Sequence, residues 1–179
     1  MEKLSGFLLL IIIISILSII YIYFYNRFQR YLMKINEVES RIDITLRERF
    51  DLLCKAADFI KSKSDEVIMT KLDDLKNQNL SSFDFERELV SMTREFQNIK
   101  ITNRNLIKMS DFTTLDFSLN ENEAELGGYI LYYNDNIANF NKLVRMFPSN
   151  IVAKLSRFKE KNYYDGKDLN DDDINDFKL

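Results

Sequence analysis

The chain has no histidine and no tryptophan, and its 179 residues include one cysteine (Cys54), one proline (Pro148) and four glycines. Without histidine, Cys-His zinc centres and imidazole acid-base catalysis are excluded. A single cysteine excludes an intramolecular disulfide. The residues that interrupt helices are missing altogether between Gly6 and Gly127, and so long an interval without a breaker favours extended helices over strands and turns. A surplus of positive charge is missing too, since 25 lysines and arginines face 28 aspartates and glutamates for a formal charge of -3. With no broad basic face, nucleic acid is not expected as a partner.

What is present in quantity is apolar side chain, 46% of the residues, enough for one domain with its own core. Part of it is concentrated at the start. Residues 4–25 carry no charge, and residues 7–24, "FLLLIIIISILSIIYIYF", contain fourteen of Leu, Ile or Phe. As a helix the eighteen residues span roughly 27 Å and the whole uncharged run roughly 33 Å, which brackets a hydrocarbon core of about 30 Å. At a few tenths of a kcal/mol per apolar residue, insertion is favourable by about 5 kcal/mol.

A cleaved signal peptide would have a shorter apolar part and a small-residue cleavage site, which Tyr21 to Tyr25 does not offer. A retained transmembrane helix is therefore expected, with Tyr21, Tyr23 and Tyr25 as an interfacial aromatic belt. Lys3 and the amino terminus, offset by Glu2, precede the span; Arg27, Arg30, Lys34 and Arg41 follow it. By the positive-inside rule the bulk of the chain is expected on the cytoplasmic side of the membrane, where a lone thiol stays reduced.

Beyond the span, Ile35, Val38, Ile42, Leu46, Leu53, Ala57 and Ile60 recur close to every 3.6 residues, so the anchor is expected to run straight into a first bundle helix. A break is expected near Ser62 to Ser64, where Ser62 and Asp65 have capping-box spacing. A shorter helix would then carry Ile68, Leu72 and Leu75. "KNQNLSS" reads as a connection, Ser81 with Asp84 repeats the cap pattern before Phe85, Leu89, Met92 and Phe96, and "NIKITNRN" reads as a second connection.

Apolar residues then fall every seven positions at Phe112, Leu119, Leu126, Tyr133, Phe140 and Phe147, with a companion row at Ile130, Ile137 and Val144. This predicts one helix of about 36 residues, roughly 54 Å long. Asn134, Asn136, Asn139 and Asn141 are assigned to its wetter faces, and Gly127 and Gly128 to a close approach by a neighbouring helix. Pro148 ends it at Phe147, and Ser149 is expected to cap a further short helix over residues 150–157.

Candidate sites are few. Glu121, Glu123 and Glu125 fan around a helix instead of converging on a metal, and the Glu-x-x-His pairs of carboxylate metal bundles cannot form. Cys54 lacks an imidazole base and reads as an inert, partly buried thiol. The tail "DGKDLNDDDINDF" fails the calcium-loop order, having no glycine at the sixth position and no glutamate at the twelfth counted from Asp168. It reads as a solvated, disordered acidic segment that projects away from an anionic leaflet and can dock partners. Asn134 and Asp135 beside Tyr132 and Tyr133 offer a polar patch or, the preferred reading, helix surface flanking a core tyrosine. The Phe147 to Asn150 corner is a helix stop and restart, with partner contact as the second reading.

Two blocks resemble the LemA family of single-span bacterial membrane proteins. In "YNRFQRYLMKINEVESRIDITLRERFDLL" the matching positions are Tyr25, Asn26 and Arg27, then Ile42, Asp43, Leu46, Arg49, Asp51 and Leu52. In "YYNDNIANFNKLVRMFPSNIVAKLSRF" they are Tyr132, Tyr133, Asn134, Asp135, Asn141, Phe147, Pro148, Ser149 and Asn150. Phe112, Leu115, Leu119 and Glu123 keep the family's spacing upstream. The resemblance implies a membrane-anchored antiparallel helical bundle and brings no catalytic residues to carry over.

The expectation is thus an all-α protein: a short segment 1–3, a transmembrane helix 4–25, a LemA-like antiparallel bundle of three to four long helices over 26–158, and an acidic tail 159–179. No catalytic, cofactor-binding or metal-ligating residue, no cofactor and no small-molecule substrate is expected. The chain reads as no enzyme but as a scaffold or interaction protein, or alternatively a membrane-linked sensor or adaptor. Its partners would be the bilayer, bound through the anchor, and other proteins, including copies of itself.

Overall fold

A computed structural model of the protein describes residues 2–64, 69–75, 80–103 and 105–164. Among these the regular structure is all helical: α1 (Glu2–Ser64), α2 (Lys71–Leu75), α3 (Ser82–Thr102), a 3-10 turn at Leu106–Lys108, α4 (Ser110–Arg145) and α5 (Ser149–Leu155). Three helices are long and two are short. The apolar run and the first bundle helix are one uninterrupted α1, as expected. The chain divides into two units, one joining the residues up to Glu37 with Tyr133–Tyr163, the other holding Val38–Tyr132 together with Tyr164.

In the second unit, α1 buries Val38, Ile42, Leu46, Leu53, Ala56 and Ile60 against Leu89, Met92 and Phe96 of α3 and Phe112, Leu119 and Leu126 of α4. The Phe96 and Phe112 rings stack at 5.1 Å and Phe59 lies 6.3 Å from Phe112. α4 runs antiparallel to α1, because Asn122 of α4 meets Thr45 while Phe112, earlier in α4, meets Phe59, later in α1. Large apolar and aromatic side chains of this kind contribute about 1.5–3 kcal/mol each when fully buried. Ser81 caps α3 as its spacing with Asp84 predicts: its hydroxyl oxygen accepts from the Asp84 N–H at 3.2 Å and its hydroxyl donates to the Asp84 carboxylate. The Met69 N–H donates to Glu95 at 2.9 Å, tying the segment before α2 to α3.

The first unit is built on aromatic rings. Phe28 of α1 is fully buried, 5.5 Å from Phe140 of α4 and 4.8 Å from Phe158. Phe158 gets there because α5 stops in a Schellman turn. Arg157 takes the left-handed conformation (φ 60), its N–H donates to Lys154, and the Phe158 N–H donates to the Ala153 carbonyl at 2.9 Å. The chain then returns along α4. The Asn141 side chain donates to the Lys161 carbonyl and accepts from the Lys161 N–H, both at 2.8 Å, and Arg145 forms a fork with Glu160. Residues 159–164, the start of the segment read as an acidic tail, are thus fastened to α4 or, at Tyr164, buried.

Several expectations need correction. Ala56 takes the fully buried position, leaving Ala57 half-buried, because the repeat shortens to three residues after Leu53. The Ser62 hydroxyl donates back to the Phe59 carbonyl, since Ser62 still lies inside α1; Asp65 and Ile68 lie outside the described residues. The second connection is shorter than predicted, because α3 continues through Ile101 and Thr102 to a C-cap at Asn103. α4 does have 36 residues but ends at Arg145, and Phe147 is exposed. Asn136 and Asn141 are buried, not on a wet face. Gly127 and Gly128 face open space, with nothing within 4 Å of an added Cβ, so no close helix approach accounts for them. Ser149 does not cap α5; it begins the helix, and its hydroxyl donates back to the Leu143 carbonyl in the last turn of α4 and to the Met146 carbonyl just after it.

Candidate membrane-proximal site

The described residues include one helix long and apolar enough to cross a membrane, and the most apolar window of that helix is entirely unburied. Every residue from Leu4 to Tyr25 is exposed except the half-buried Phe24. Ser15 and Ser18 satisfy their hydroxyls on the carbonyls four residues back, so no unpaired polar group interrupts the apolar surface.

Where the uncharged run ends, side-chain chemistry changes within one turn. Tyr23, Arg27, Arg30, Tyr31 and Lys34 stand at offsets of four, seven, eight and eleven, which places them on one face of α1, and they line an open cleft of about 300 Å³. Lys34 Nζ sits 5.9 Å from the centre of the Tyr31 ring. Three cations and two phenols with no carboxylate among them can hold an anion, a phosphate above all. They contain no nucleophile paired to a base.

Around the same turns of α1, Tyr25 and Phe28 pack on Phe158 at 5.9 and 4.8 Å, and the Tyr21 hydroxyl lies 3.0 Å from Ser156 Oγ. Tyr21 and Tyr25 stack at 6.0 Å, and Gln29 donates to the Tyr25 hydroxyl. Tyr21 and Tyr25 of the expected aromatic belt therefore meet protein as well as open surface.

The other sequence candidates do not assemble. Cys54 is half-buried in the C-terminal part of α1. Glu121, Glu123 and Glu125 are exposed and engage different groups: Glu123 pairs with Arg49 at 3.2 Å, and Glu125 accepts from the Tyr129 hydroxyl at 2.7 Å, a bond that raises the Tyr129 pKa. Tyr133 is buried, Asn134 half-buried, and Tyr132 and Asp135 exposed, as the preferred reading of helix surface beside a core tyrosine requires. Near α5, Arg145 holds the Glu160 carboxyl below its ordinary pKa. Asp168 and the aspartates after it lie outside the described residues.

The burial of Arg49 and Asn122 escaped the sequence reading. Arg49 is 3% exposed, and among the described residues its charge is paired with the largely exposed Glu123. Asn122 is also buried, donating to the Thr45 carbonyl at 3.0 Å. The signal was available: Phe28, Ile35, Ile42, Arg49 and Ala56 are spaced by seven, so an arginine stands in an otherwise apolar row. It is a structural polar seam between α1 and α4.

A sequence model described as the LemA family matches residues 38–175. No curated protein and no solved structure matches the chain.

Proposed function

Given that the chain belongs to the LemA family, we propose that it is a membrane-anchored helical-bundle protein of the bacterial cytoplasmic membrane. Its work would be to bind other proteins or itself, and not to catalyse a reaction. The observation that carries this reading is α1 itself, in which a fully exposed apolar run of spanning length continues without a break into a helix whose apolar residues are core. Arg27, Arg30 and Lys34 just beyond the run support a cytoplasmic placement of the remainder. In the second unit the buried apolar residues of α1, α3 and α4 form the bundle core, while Ile101, Phe117 and Leu131 are exposed and free to meet a partner.

The test has two parts. Membranes carrying the full chain are washed with alkaline carbonate, and single cysteines at Ser5 and Asn162 in a Cys54→Ser background are probed with an impermeant maleimide from either side. Retention in the pellet with the Asn162 position labelled only from the cytoplasmic side is expected. A soluble product lacking the first two dozen residues ends the anchor reading; the opposite labelling ends the cytoplasmic one. Capture of detergent-solubilised protein with and without residues 159–179 then addresses partners, and a bare monomer in both cases counts against a scaffold.

The unbroken helix over Glu2–Ser64 also favours a second reading, a sensor or adaptor in which a change in the span is passed along α1. Disulfide crosslinking through a cysteine at Leu8 in the same Cys54→Ser background should then alter protease protection of α3. Unchanged protection removes this reading and leaves the first intact.

A further inference from the structure

The apolar residues at the end of α4 and along α5 have no explanation in the bundle. Ile151 and Leu155 are four apart on α5, hence on one helical face, and are 51% and 69% exposed; Met146 and Phe147, in the turn that leads into α5, are exposed as well. The opposite face of α5 is already used, with Ser149, Val152 and Ala153 buried. An exposed stripe of this size, on a helix whose other side is core, marks a contact surface.

Its position indicates what covers it. α5 ends beside Tyr21, whose hydroxyl is 3.0 Å from Ser156 Oγ, and Tyr21 lies inside the uncharged run, four residues before its last member, Tyr25. At about 1.5 Å per residue the end of α5 therefore sits roughly 6 Å on the apolar side of the run's boundary. The Schellman turn and the packing of Phe158 on Phe28 hold it there. Lys154, Arg157 and Lys159 are exposed at the same end, and Arg27, Arg30 and Lys34 are exposed on α1. The nearby carboxylate, Glu160, is engaged by Arg145.

We propose that α5 is a second membrane contact: it lies in the headgroup layer of the leaflet from which α1 emerges, with Phe147, Ile151 and Leu155 in the upper acyl region and Lys154, Arg157 and Lys159 on anionic lipid phosphates. This rests on the reading of α1 as a membrane span, and the arrangement follows the physics of interfacial amphipathic helices, apolar face inward and basic residues at phosphate level. The surface is continuous with the span, which is why lipid and not a protein partner is its occupant.

The experiment uses the full-length protein in a Cys54→Ser background, reconstituted into phosphatidylcholine vesicles with and without phosphatidylglycerol. A polarity-sensitive fluorophore is attached through cysteine at Ile151, at Leu10 in mid-span, or at Glu121 as an exposed control, and lipids carrying a nitroxide high or low on the acyl chain serve as quenchers. Circular dichroism of each labelled protein checks the fold. Expected is a blue-shifted Ile151 probe that loses intensity to the shallow nitroxide, a Leu10 probe quenched by the deep one, and an unquenched Glu121 probe. In vesicles containing phosphatidylglycerol, Lys154→Ser, Arg157→Ser and Lys159→Ser together should reduce quenching at Ile151; unchanged quenching overturns the assignment of those cations to phosphates.

A Leu10 probe in lipid with an Ile151 probe that behaves as in water overturns the proposal and leaves the span standing. A blue-shifted Ile151 probe that neither nitroxide quenches overturns it as well, since the face would then be covered by protein. If the Leu10 probe is not in lipid, the underlying reading fails along with the proposal.

Discussion

Between residues 7 and 23 of α1 large apolar side chains point in every direction and are exposed; between residues 38 and 60 of the same helix those that recur at helical spacing are buried. The difference is not one of helix propensity, since isoleucine and leucine serve in both stretches. A stripe can be closed by one or two partner helices, whereas a helix that is apolar all round needs apolar surroundings on all sides. Under the proposed anchoring lipid supplies them for the first stretch, at no cost in unsatisfied backbone groups because the helix bonds its own.

Charge breaks this contrast most strongly. Ile12→Arg with Ile13→Arg places two guanidiniums at mid-span, each disfavoured by about 2.5–3.5 kcal/mol there. Together they exceed the roughly 5 kcal/mol that favours insertion, so the doubly substituted chain should leave the membrane pellet in alkaline carbonate. Ile44→Arg, at a position of α1 exposed in the second unit, should change neither extraction nor thermal unfolding, surface substitutions being neutral within about 0.5 kcal/mol.

Truncation sharpens it next. Leu53 is fully buried and Leu9 exposed on the same helix. Leu53→Ala opens a cavity and should cost about 3 kcal/mol, read as a lowered midpoint of thermal unfolding in detergent. Leu9→Ala, which leaves only a smaller surface against the micelle, should leave that midpoint in place. Equal effects would mean that the two stretches are packed alike.

The polar seam of the buried stretch gives a smaller effect with a diagnostic sign. Glu123→Gln leaves Arg49 buried without its counter-charge and should cost about 1–2 kcal/mol, whereas Arg49→Met, which replaces the charge by apolar volume, should cost less or stabilise. The reverse order would show that the guanidinium makes stronger bonds than its pairing with Glu123.

How much of this was legible follows from which residues carry a period. The helical apolar run, its union with the first bundle helix in α1, the Ser81 cap and the 36-residue length of α4 were readable because composition, spacing and the lack of breakers all pointed the same way. Asn136 and Asn141 were misplaced because type was allowed to override position: an asparagine sits comfortably inside when a backbone segment such as Lys161 offers both a donor and an acceptor. Phe147 was misread the other way, an aromatic in heptad register that the early end of α4 leaves in the open. The stripe on α5 was not visible as a site, because it depends on α5 being held beside the end of the apolar run, and that is a tertiary fact; the basic cleft lies on one face of α1, and its spacing was there to be read.

The smallest effect concerns Gly127 and Gly128, where sequence reasoning supplied a neighbour that is not there. Both lie inside α4 with no atom within 4 Å of an added Cβ and with no positive φ. Alanine at either position therefore meets no clash, keeps the helical backbone and narrows the unfolded ensemble, a gain of about 0.5–1 kcal/mol per site. Gly127→Ala and Gly128→Ala should each raise the unfolding midpoint of the detergent-solubilised chain and add when combined. A loss of stability in place of a gain would mean that another molecule, such as a second copy of the chain, lies against this face, since nothing within the described residues does.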